Sequence, residues 1–527
     1  MKVLCCILTV KVTLLLCLSS CGDNVYRNKS HASVSIESIN SGRLLAANYC
    51  ASCHSLPDPA WLDAKSWEEG VLPAMGPQLG IFQHHFKSYP SARNDKNVAA
   101  NIYPSQPLLN PSQWQSIIDY YSATSPDTLV REPRQDKIKM ELPLFSVQSP
   151  VQHHTNAAAS FIKIAAPGFT SPLLISDAFK NKTYLFSKEL SVIDSFLNNG
   201  PVVDMEFTTD RTLACNIGVL NPNNGKFGNG FFIHNYGNGK LKESKTSLFD
   251  SLQRPVQISS ADFNRDGKPD YLVCEFGFVT GSLSWMEGND GGFTRHVIKP
   301  LPGAIKAYIE DYNKDGAPDI WVLMTQGDEG IFLYSNKGDG TFKEERILSF
   351  PSVYGSSFFE MTDFDGDGYK DIVYTCGDNA DYSPVLKPYH GVYIFINDRA
   401  NHFNQKFFFA INGCYKALAR DYDGDGDLDV AAISFFADYK NEPEEGFVFL
   451  KNEGGYSFKP YSIPETTTGR WLTMDAGDID GDGDIDLVLG NFFLGPGGAK
   501  PKAERLKLPP FVLLRNTTIK QKRNFVY

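Results

Sequence analysis

The segment Asp478-Ile-Asp-Gly-Asp-Gly-Asp-Ile-Asp486 decides the fold of this chain, because four further segments repeat its pattern of acidic residues and glycine. The five segments are Asp262 to Asp270, Asp311 to Asp319, Asp363 to Asp371, Asp421 to Asp429 and Asp478 to Asp486. Their starts are 49, 52, 58 and 57 residues apart. A repeat near 50 residues is typical of a solenoid or a β-propeller. Strand-like runs follow the segments, so each repeat is predicted to be a small β-sheet.

Each acidic segment has the oxygen ligands of a calcium loop. Side-chain oxygens at positions 1, 3 and 5 converge because the glycine at position 6 allows a sharp turn, and the carboxylate at position 9 closes the shell. Flexible coordination by oxygen alone favours Ca²⁺. The predicted ligands are Asp262, Asn264, Asp266, Asp270, Asp311, Asn313, Asp315, Asp319, Asp363, Asp365, Asp367, Asp371, Asp421, Asp423, Asp425, Asp429, Asp478, Asp480, Asp482 and Asp486.

These loops are not EF-hands, which need a glutamate at position 12. That position is occupied by Val273, Val322, Tyr374, Ala432 and Leu489. The first two loops have Asn at position 3 and carry Arg265, Lys268 or Lys314, so they are expected to bind Ca²⁺ more weakly. We expect a structural calcium that contributes folding free energy. The alternatives are a catalytic calcium and a set of solvated acidic turns.

Two upstream segments, Pro172 to Ser187 and Asp210 to Asn235, have similar strand spacing without an acidic loop. They are interpreted as two degenerate blades, which gives seven, a common number for a closed ring. We expect a strand near Leu142 to Val151 to pair with the last blade around Phe511 to Arg515, because this pairing would protect both sheet edges.

The unit continues after each loop with a strand, a second strand such as Gly330-Ile-Phe-Leu-Tyr334, an Asn-containing turn and a Phe. These pieces resemble the FG-GAP/VCBS repeats of integrin-type β-propellers, over about Val256 to Val512. The resemblance implies that each repeat is a four-stranded blade. The expected fold of residues 151–527 is an all-β propeller with seven blades.

The run Cys50-Ala-Ser-Cys-His54 has the pattern of a c-type haem attachment site. Cys50 and Cys53 would form thioethers to the porphyrin, and His54 would ligate the iron. A stray thiol pair or a zinc half-site is the alternative. The chain has no second Cys/His pair with zinc spacing, since the downstream cysteines stand alone in the sequence.

Helical patterns surround this run. One leads from Ser41 to Tyr49, a second covers Trp67 to Leu79, and Asn110-Pro111 predicts the start of a third, rich in aromatic residues. This order resembles a small class I cytochrome c over residues 32–126. The resemblance implies that Gly42 and Tyr49 pack the two terminal helices together and that a methionine is the sixth iron ligand.

Met75 is the expected sixth ligand, because it is the only methionine between His54 and the linker. A thioether there would raise the reduction potential relative to a second imidazole. The alternatives are the His84/His85 pair, the remote Met140, an open site, or Met75 as simple core packing.

The N-terminus is interpreted as a signal over residues 1–21. Lys2 and Lys11 precede an apolar stretch from Val12 to Leu18 that is too short to span a bilayer. Leu18-Ser-Ser-Cys21 resembles a bacterial lipobox, which implies an acylated Cys21. An ordinary cleaved signal is the alternative. We expect a lipid-anchored protein of the bacterial cell envelope, facing the periplasm or the cell surface.

The length, net charge and cysteine content limit the number of domains, the class of partner and the number of possible disulfides. The chain of 527 residues is too long for one core, and residues 127–150 are predicted to link two domains. A net charge of -11 argues against nucleic acid as a partner. Four cysteines lie outside the signal, the lipidation site and the haem run. They are predicted to be buried thiols, with a disulfide as the alternative. They are Cys215, Cys274, Cys376 and Cys414.

Three functions follow. The favoured one is a cytochrome that exchanges electrons with an unidentified redox partner protein, while the propeller binds that partner. The second is a quinone-dependent sugar or alcohol dehydrogenase, an analogy of fold alone because His234, His296, His390 and His402 are scattered. The third is a propeller that binds glycan or protein.

In the third reading, Trp285, Trp321 and Trp471 would stack on sugars, with strand packing as the alternative role. The whole chain resembles uncharacterised envelope lipoproteins of Bacteroidetes-type bacteria. That resemblance implies haem binding and electron transfer, and it implies no substrate.

Overall fold

Seven four-stranded antiparallel sheets follow one another along the chain and are preceded by a helical segment. The structure is a computed structural model that describes residues 26–150, 157–165, 172–207, 211–236, 240–380, 383–493 and 508–518. The predicted signal and Cys21 lie outside these residues. Within the described ranges, no helix is both long and apolar enough to cross a membrane.

The seven sheets are the blades of a β-propeller, and the first strands of neighbouring blades contact one another around a closed ring. Blades 1 to 3 are β4–β7 (Ala159–Ile164, Leu173–Asp177, Lys182–Phe186, Val192–Leu197), β8–β11 (Val202–Phe207, Arg211–Asn216, Gly228–Tyr236, Lys240–Leu252) and β12–β15 (Pro255–Ala261, Asp270–Glu275, Ser282–Asn289, Gly292–Lys299). Blades 4 and 5 are β16–β19 (Ala304–Glu310, Asp319–Met324, Gly330–Asn336, Phe342–Ser349) and β20–β23 (Ser356–Thr362, Asp371–Cys376, Gly391–Asn397, Phe403–Ala410). Blade 6 is β24–β27 (Cys414–Arg420, Asp429–Ser434, Phe447–Asn452, Phe458–Tyr461), and blade 7 is β28–β30 (Trp471–Gly477, Asp486–Asn491, Phe511–Asn516) with β3 (Phe145–Gln148).

The ring is closed by β3, which pairs antiparallel with β30 through Phe145 opposite Asn516. This confirms the predicted pairing of the strand near Leu142 to Val151 with the last blade. It also means that part of the predicted linker, residues 127–150, belongs to the propeller. The outermost strand of blade 7 therefore comes from the other end of the ring, and it covers the edge that β30 would otherwise expose.

Neighbouring blades pack against each other through buried apolar side chains. The second strands of blades 3 to 7 are buried along their whole length, because neighbouring blades cover both faces of each sheet. The large buried side chains between blades include Trp321, Trp471 and Phe359. Each first strand also has one irregularity: its pairing with the second strand shifts after the first residue in all seven blades.

The helical segment is built on α1 (Ile36–Tyr49) and α4 (Pro111–Thr124), which cross at Gly42. A Cβ at Gly42 would lie 1.8 Å from the Ser116 carbonyl oxygen, so only glycine allows this approach. Asn110 and Gln113 form a capping box, as the Asn110-Pro111 pair predicted. The packing of Gly42 between the two helices is therefore confirmed.

The remaining elements of this segment are short. They are the 3₁₀ turns Lys29–His31, Cys50–Ser52 and Pro59–Trp61, α2 (Ala64–Ser66), a π-helical turn (Trp67–Val71), α3 (Leu72–Met75), a 3₁₀ turn (Gly76–Leu79) and the hairpin β1 (Gln83–His84) and β2 (Lys87–Ser88). The helical stretch predicted over Trp67 to Leu79 is therefore present, as π, α and 3₁₀ segments that follow one another directly. Pro73 and Pro77 lie near the starts of the last two segments, where a missing N–H is tolerated.

The helical segment lies against the propeller. The Tyr389 hydroxyl donates to the carbonyl oxygen of Trp61 at 2.9 Å, and the Trp61 and Tyr354 rings meet edge-on at 6.2 Å. Asn224 donates to the carboxylate of Asp95 at 3.0 Å. Tyr389 and Asn224 belong to loops between second and third strands. Because adjacent strands are antiparallel, the acidic loops between first and second strands lie on the opposite face of the ring.

The connection between the two parts is fastened to blade 6. Arg131 and Arg134 both pair with Glu445, whose side chain is fully buried, and with Glu442. Lys139 then exchanges backbone hydrogen bonds with the last strand of the blade and its following residues. The segment predicted to be a linker is therefore held along the propeller.

Candidate functional site

The five acidic loops share one geometry, illustrated by the loop that begins at Asp421. The two carboxylate oxygens of Asp421 accept from the backbone N–H groups of Asp425 at 3.1 Å and Gly426 at 3.2 Å. The first aspartate of the other four loops makes the same pair of bonds. The glycine at position 6 has a positive φ in all five, from 79° to 101°, so each loop makes the sharp turn that the sequence predicted.

Three loops bring carboxylates together closely enough to hold a cation. In each, three carboxylate oxygens lie within 4.8 Å of one another. The groups are Asp363, Asp365 and Asp371; Asp421, Asp423 and Asp425; and Asp478, Asp480 and Asp486. The loops that begin at Asp262 and Asp311 have an amide oxygen at position 3 instead of a carboxylate.

The aspartate at position 9 joins the loop to its blade. One oxygen of Asp486 accepts from the backbone N–H of Ile479 at 3.0 Å, and the other accepts from that of Asn516 at 2.8 Å. An asparagine equivalent to Asn516 ends the third strand in blades 4 to 7, and its side chain donates to the carbonyl before position 9. The recurring Asn-containing turn was visible in the sequence, although this role was not predicted.

Asp429 is a buried carboxylate that faces other carboxylates of its loop. Its side chain is 0% exposed and accepts hydrogen bonds from the backbone N–H groups of Asn452, at 2.8 Å, and of Tyr422. Burial raises its pKa to about 7, and the nearby Asp423 and Asp425 add to the rise. Burial likewise raises the pKa of Asp486 to about 7. Such charges require a cation or a proton.

Basic side chains also reach these loops. Arg515 pairs with Asp480 at 2.7 Å, Lys451 pairs with Asp423 at 2.7 Å, and Arg399 pairs with Asp367 at 2.8 Å. These contacts were missed by sequence reasoning, because they join a loop to a residue that lies about 30 positions away. They offset part of the negative charge at the rim of each loop.

The Cys50–His54 run follows directly after α1. Cys50 is half-buried and Cys53 is exposed, and both are free thiols. Burial raises the pKa of Cys50 to about 11, so this thiol is neutral. The Nδ1 atom of His54 lies 2.8 Å from the carbonyl oxygen of Ser55. Because a carbonyl only accepts, Nδ1 carries the proton and Nε2 keeps its lone pair for a metal.

The candidate sixth ligands lie in different places. Met75 is half-buried at the end of α3, and Met140 is 40% exposed in the connecting segment. His84 and His85 both bond to the side-chain oxygen of Gln115. Tyr49 is half-buried at the end of α1 and packs against the core of the helical segment.

The tryptophans proposed for sugar stacking are part of the blade packing. Trp285, Trp321 and Trp471 are at most 4% exposed, so they present no face to a glycan. The sugar-stacking role is therefore wrong, and the packing role is correct. Cys215, Cys274, Cys376 and Cys414 are buried free thiols, as predicted.

The scattered histidines form no common site. His390 is buried, whereas His296 and His402 are exposed and pair with Glu287 and Asp398. His234 is exposed on β10.

The innermost strands carry a cluster of charged side chains that sequence reasoning missed. The pKa of Lys416 is lowered to about 8, mainly by burial and also by the nearby Lys306 and Lys163, while the carboxylate of Asp475 opposes the shift; the three lysines belong to blades 6, 4 and 1. Lys163 pairs with Asp475 at 3.3 Å. Glu360 accepts from the backbone N–H of the next blade's Ala419 at 2.8 Å. The axis of the ring is thus lined by lysines and carboxylates.

Comparison with protein families matches residues 311–374 and 421–489 to the FG-GAP-like repeat. These two segments are FG-GAP-like repeats. They contain four of the five acidic loops, which begin at Asp311, Asp363, Asp421 and Asp478.

Two solved structures are similar in shape. The N-terminal domain of Nup159 shares 11% identity at a TM-score of 0.40, covering 72% of this chain and 98% of that one. Sqt1 from Saccharomyces cerevisiae shares 9% identity at a TM-score of 0.42, covering 72% of this chain and 99% of that one. Neither likeness supports an argument about function. No curated protein matches the chain.

Proposed function

We propose that this chain is a lipid-anchored c-type cytochrome of the bacterial cell envelope, in which a calcium-stabilised propeller binds the redox partner protein. The observation that carries the proposal is the imidazole of His54, which directly follows the Cys50/Cys53 pair. Its Nδ1–H donates to the Ser55 carbonyl, so Nε2 is the free ligand atom. A hydrogen bond of this kind orients a metal-binding histidine and raises its basicity.

The residues present fit a covalent haem. Cys50 and Cys53 would hold the macrocycle, and His54 and Met75 would be the axial ligands. We prefer Met75 to the His84/His85 pair because Met75 is half-buried and is the only methionine between His54 and residue 127 of the sequence, whereas His85 is exposed. A bound haem would supply one-electron chemistry at the iron.

Calcium in the acidic loops is the second part of the proposal. Asp429 supports it, because this buried carboxylate lies beside two further carboxylates of its loop, Asp423 and Asp425, and its pKa is raised to about 7. A divalent cation would neutralise this cluster. The role is structural, since each loop joins the first two strands of a blade and calcium there would stabilise the ring.

The proposed lipid anchor at Cys21 and the proposed cell-envelope location are inferred from the sequence. The Leu18-Ser-Ser-Cys21 run supports an acylated Cys21, and c-type haem attachment requires an extracytoplasmic site. The propeller is the part of the chain that we assign to ligand binding. Its ligand is a redox protein in this proposal, and a glycan is the alternative.

A dehydrogenase is the second candidate, and one observation favours it. Lys416 on the axis of the ring has a lowered pKa and lies near Asp475 and Glu360, so a base and carboxylates are available at the channel. A quinone-dependent enzyme would use such groups to take a proton from an alcohol.

The test is the visible spectrum of the full-length protein, matured with haem and Ca²⁺, during addition of sugars and alcohols with and without a quinone cofactor. Reduction by a protein donor alone supports the carrier, and reduction by a substrate supports the dehydrogenase. Cys50→Ser combined with Cys53→Ser should abolish the haem spectrum, while Cys414→Ser should preserve it. A wild-type protein without covalent haem would refute the proposal.

A further inference from the structure

The hairpin of β1 and β2 has an unfavourable turn. Its strands pair His84 with Lys87, and the two residues of the turn are His85 and Phe86, with φ values of 42° and 64°. Two-residue turns of this kind favour Asn-Gly, because bulky side chains are strained at positive φ. The Phe86 side chain is 97% exposed, so its packing does not hold the turn in place. Strain of this sort is retained where it positions a functional side chain.

The turn brings two imidazoles together. The Nε2 atoms of His84 and His85 lie 2.8 Å and 2.9 Å from a single atom, Oε1 of Gln115, and the ring centroids are 4.2 Å apart. Adjacent residues of a regular strand point to opposite faces of the sheet, so this convergence depends on the strained turn. Two imidazole nitrogens and an amide oxygen therefore surround one small volume.

Gln115 is held in the orientation that completes this arrangement. Its Nε2 atom donates to Oδ1 of Asp119 at 2.8 Å, and Oδ2 of Asp119 accepts from the hydroxyl of Ser38 at 2.5 Å. The amide oxygen is consequently directed towards the two histidines. The support comes from both α4 and α1, so the three groups are fixed to the crossing of the main helices. Such outer hydrogen bonds are typical of metal ligands.

We propose that His84, His85 and Gln115 form a binding site for a first-row divalent metal ion, with Cu²⁺ preferred. Neutral imidazoles suit copper, nickel and zinc, and copper binds most tightly to a given set of nitrogen and oxygen ligands. Binding requires each imidazole to carry its proton on Nδ1, which exposes the Nε2 lone pair. The ion would take the place of the two hydrogen bonds to Gln115, and water would fill its remaining positions.

This site is separate from the proposed haem. Ser38 precedes Cys50 by 12 residues along α1, which is about 18 Å of helix. The site also differs from the acidic loops, which offer oxygen ligands only. The proposal therefore stands whether or not the Cys50–His54 run binds haem.

The experiment is a titration of the full-length protein with Cu²⁺, in the presence of excess Ca²⁺, followed by calorimetry and electron paramagnetic resonance. We expect one tight equivalent with a spectrum of two nitrogen ligands. His84→Ala and His85→Ala should each weaken binding at least ~10-fold, and Gln115→Leu should weaken it by roughly 10-fold. Thermal unfolding without added copper checks that these variants fold.

Control variants separate this site from other histidines. His296→Ala and His402→Ala remove exposed imidazoles of the propeller, and a double alanine variant of His153 and His154 removes the other adjacent pair in the sequence. All three should bind Cu²⁺ as the wild type does. Repeating the titration on the haem-free Cys50→Ser/Cys53→Ser protein should give the same affinity. A copper signal that survives in the His84 and His85 variants, or no tight equivalent at all, would overturn the proposal.

Discussion

Replacement of Asp429 by asparagine should change the stability of the propeller in opposite directions with and without calcium. The pKa of Asp429 rises from 3.8 to about 7 because the group is buried and faces other carboxylates. Each unit corresponds to about 1.4 kcal/mol, so an ionised Asp429 costs the calcium-free protein about 4 kcal/mol above pH 7. Asp429→Asn removes that charge and keeps an acceptor for the backbone N–H of Asn452.

The raised pKa of Asp429 also determines how the stability of the calcium-free protein changes with pH. Folding raises this pKa, so the calcium-free folded protein holds the proton more tightly than the unfolded chain. Its stability should therefore fall as the pH increases from about 4 through 7, and the asparagine variant should lose the part of this dependence that Asp429 contributes, while the part from Asp486 remains. With calcium bound, the wild type should be more stable than Asp429→Asn, because the ionised carboxylate is then a calcium ligand. A site filled at 100 times its dissociation constant contributes about 2.7 kcal/mol, and the variant would lose much of it.

The assay is urea unfolding at pH 8, followed by fluorescence of the buried tryptophans, in EGTA and in excess Ca²⁺. The midpoint of Asp429→Asn should lie above that of the wild type in EGTA and below it in Ca²⁺. Asp427→Asn is the matched control, since this exposed side chain at position 7 of the same loop changes the same charge without burial. Equal destabilisation by Asp429→Asn in both conditions would refute the reasoning.

Three further predictions concern the helical segment, its connection to the ring and the channel. Gly42→Ala should destabilise the helical segment by roughly 1–3 kcal/mol, because the added Cβ would meet the Ser116 carbonyl. Thermal unfolding measures the loss, and Ala47→Ser on the exposed side of α1 is the control. Glu445→Gln should cost roughly 1–3 kcal/mol, since the two linker arginines keep only the partly exposed Glu442 as a counter-charge, and it should speed proteolysis of residues 127–144. Amine labelling of Lys416, quantified by mass spectrometry, should be half-maximal near pH 8, and a midpoint near 10.5 would contradict the burial of this group.

The propeller was predictable because its signals are local and repeated. Each acidic loop is encoded in nine consecutive residues, and its recurrence from Asp262 to Asp486 sets the blade length. Even the closing pair of β3 and β30 followed, since a ring of antiparallel blades leaves one edge at each end of the chain. The helix cap at Asn110 was predictable for the same reason, because its partner Gln113 is three residues away.

The features that were missed depend on residues far apart in sequence. Arg131 and Glu445 are separated by 314 positions, so no local pattern shows that the linker is fastened to blade 6. The charged side chains along the axis of the ring come from different blades, as Lys163 and Asp475 do, so no local pattern shows that they meet. Sugar stacking by Trp285, Trp321 and Trp471 could not be separated from strand packing, because the sequence does not show that these side chains are buried. The helical spacing over Trp67 to Leu79 predicted a helical stretch without showing its change from π to α to 3₁₀ geometry.

The arrangement of the two faces determines what calcium would control. The helical segment contacts the loops between second and third strands, as through Tyr389, whereas the acidic loops lie on the opposite face. In the proposed calcium form, five Ca²⁺ ions would bring the formal charge from -11 to about -1. That change is confined to the face away from the Cys50–His54 run. A partner that docks on the acidic face would therefore respond strongly to calcium, while the helical segment, held by contacts that contain no loop carboxylate, would keep its position and its cofactor.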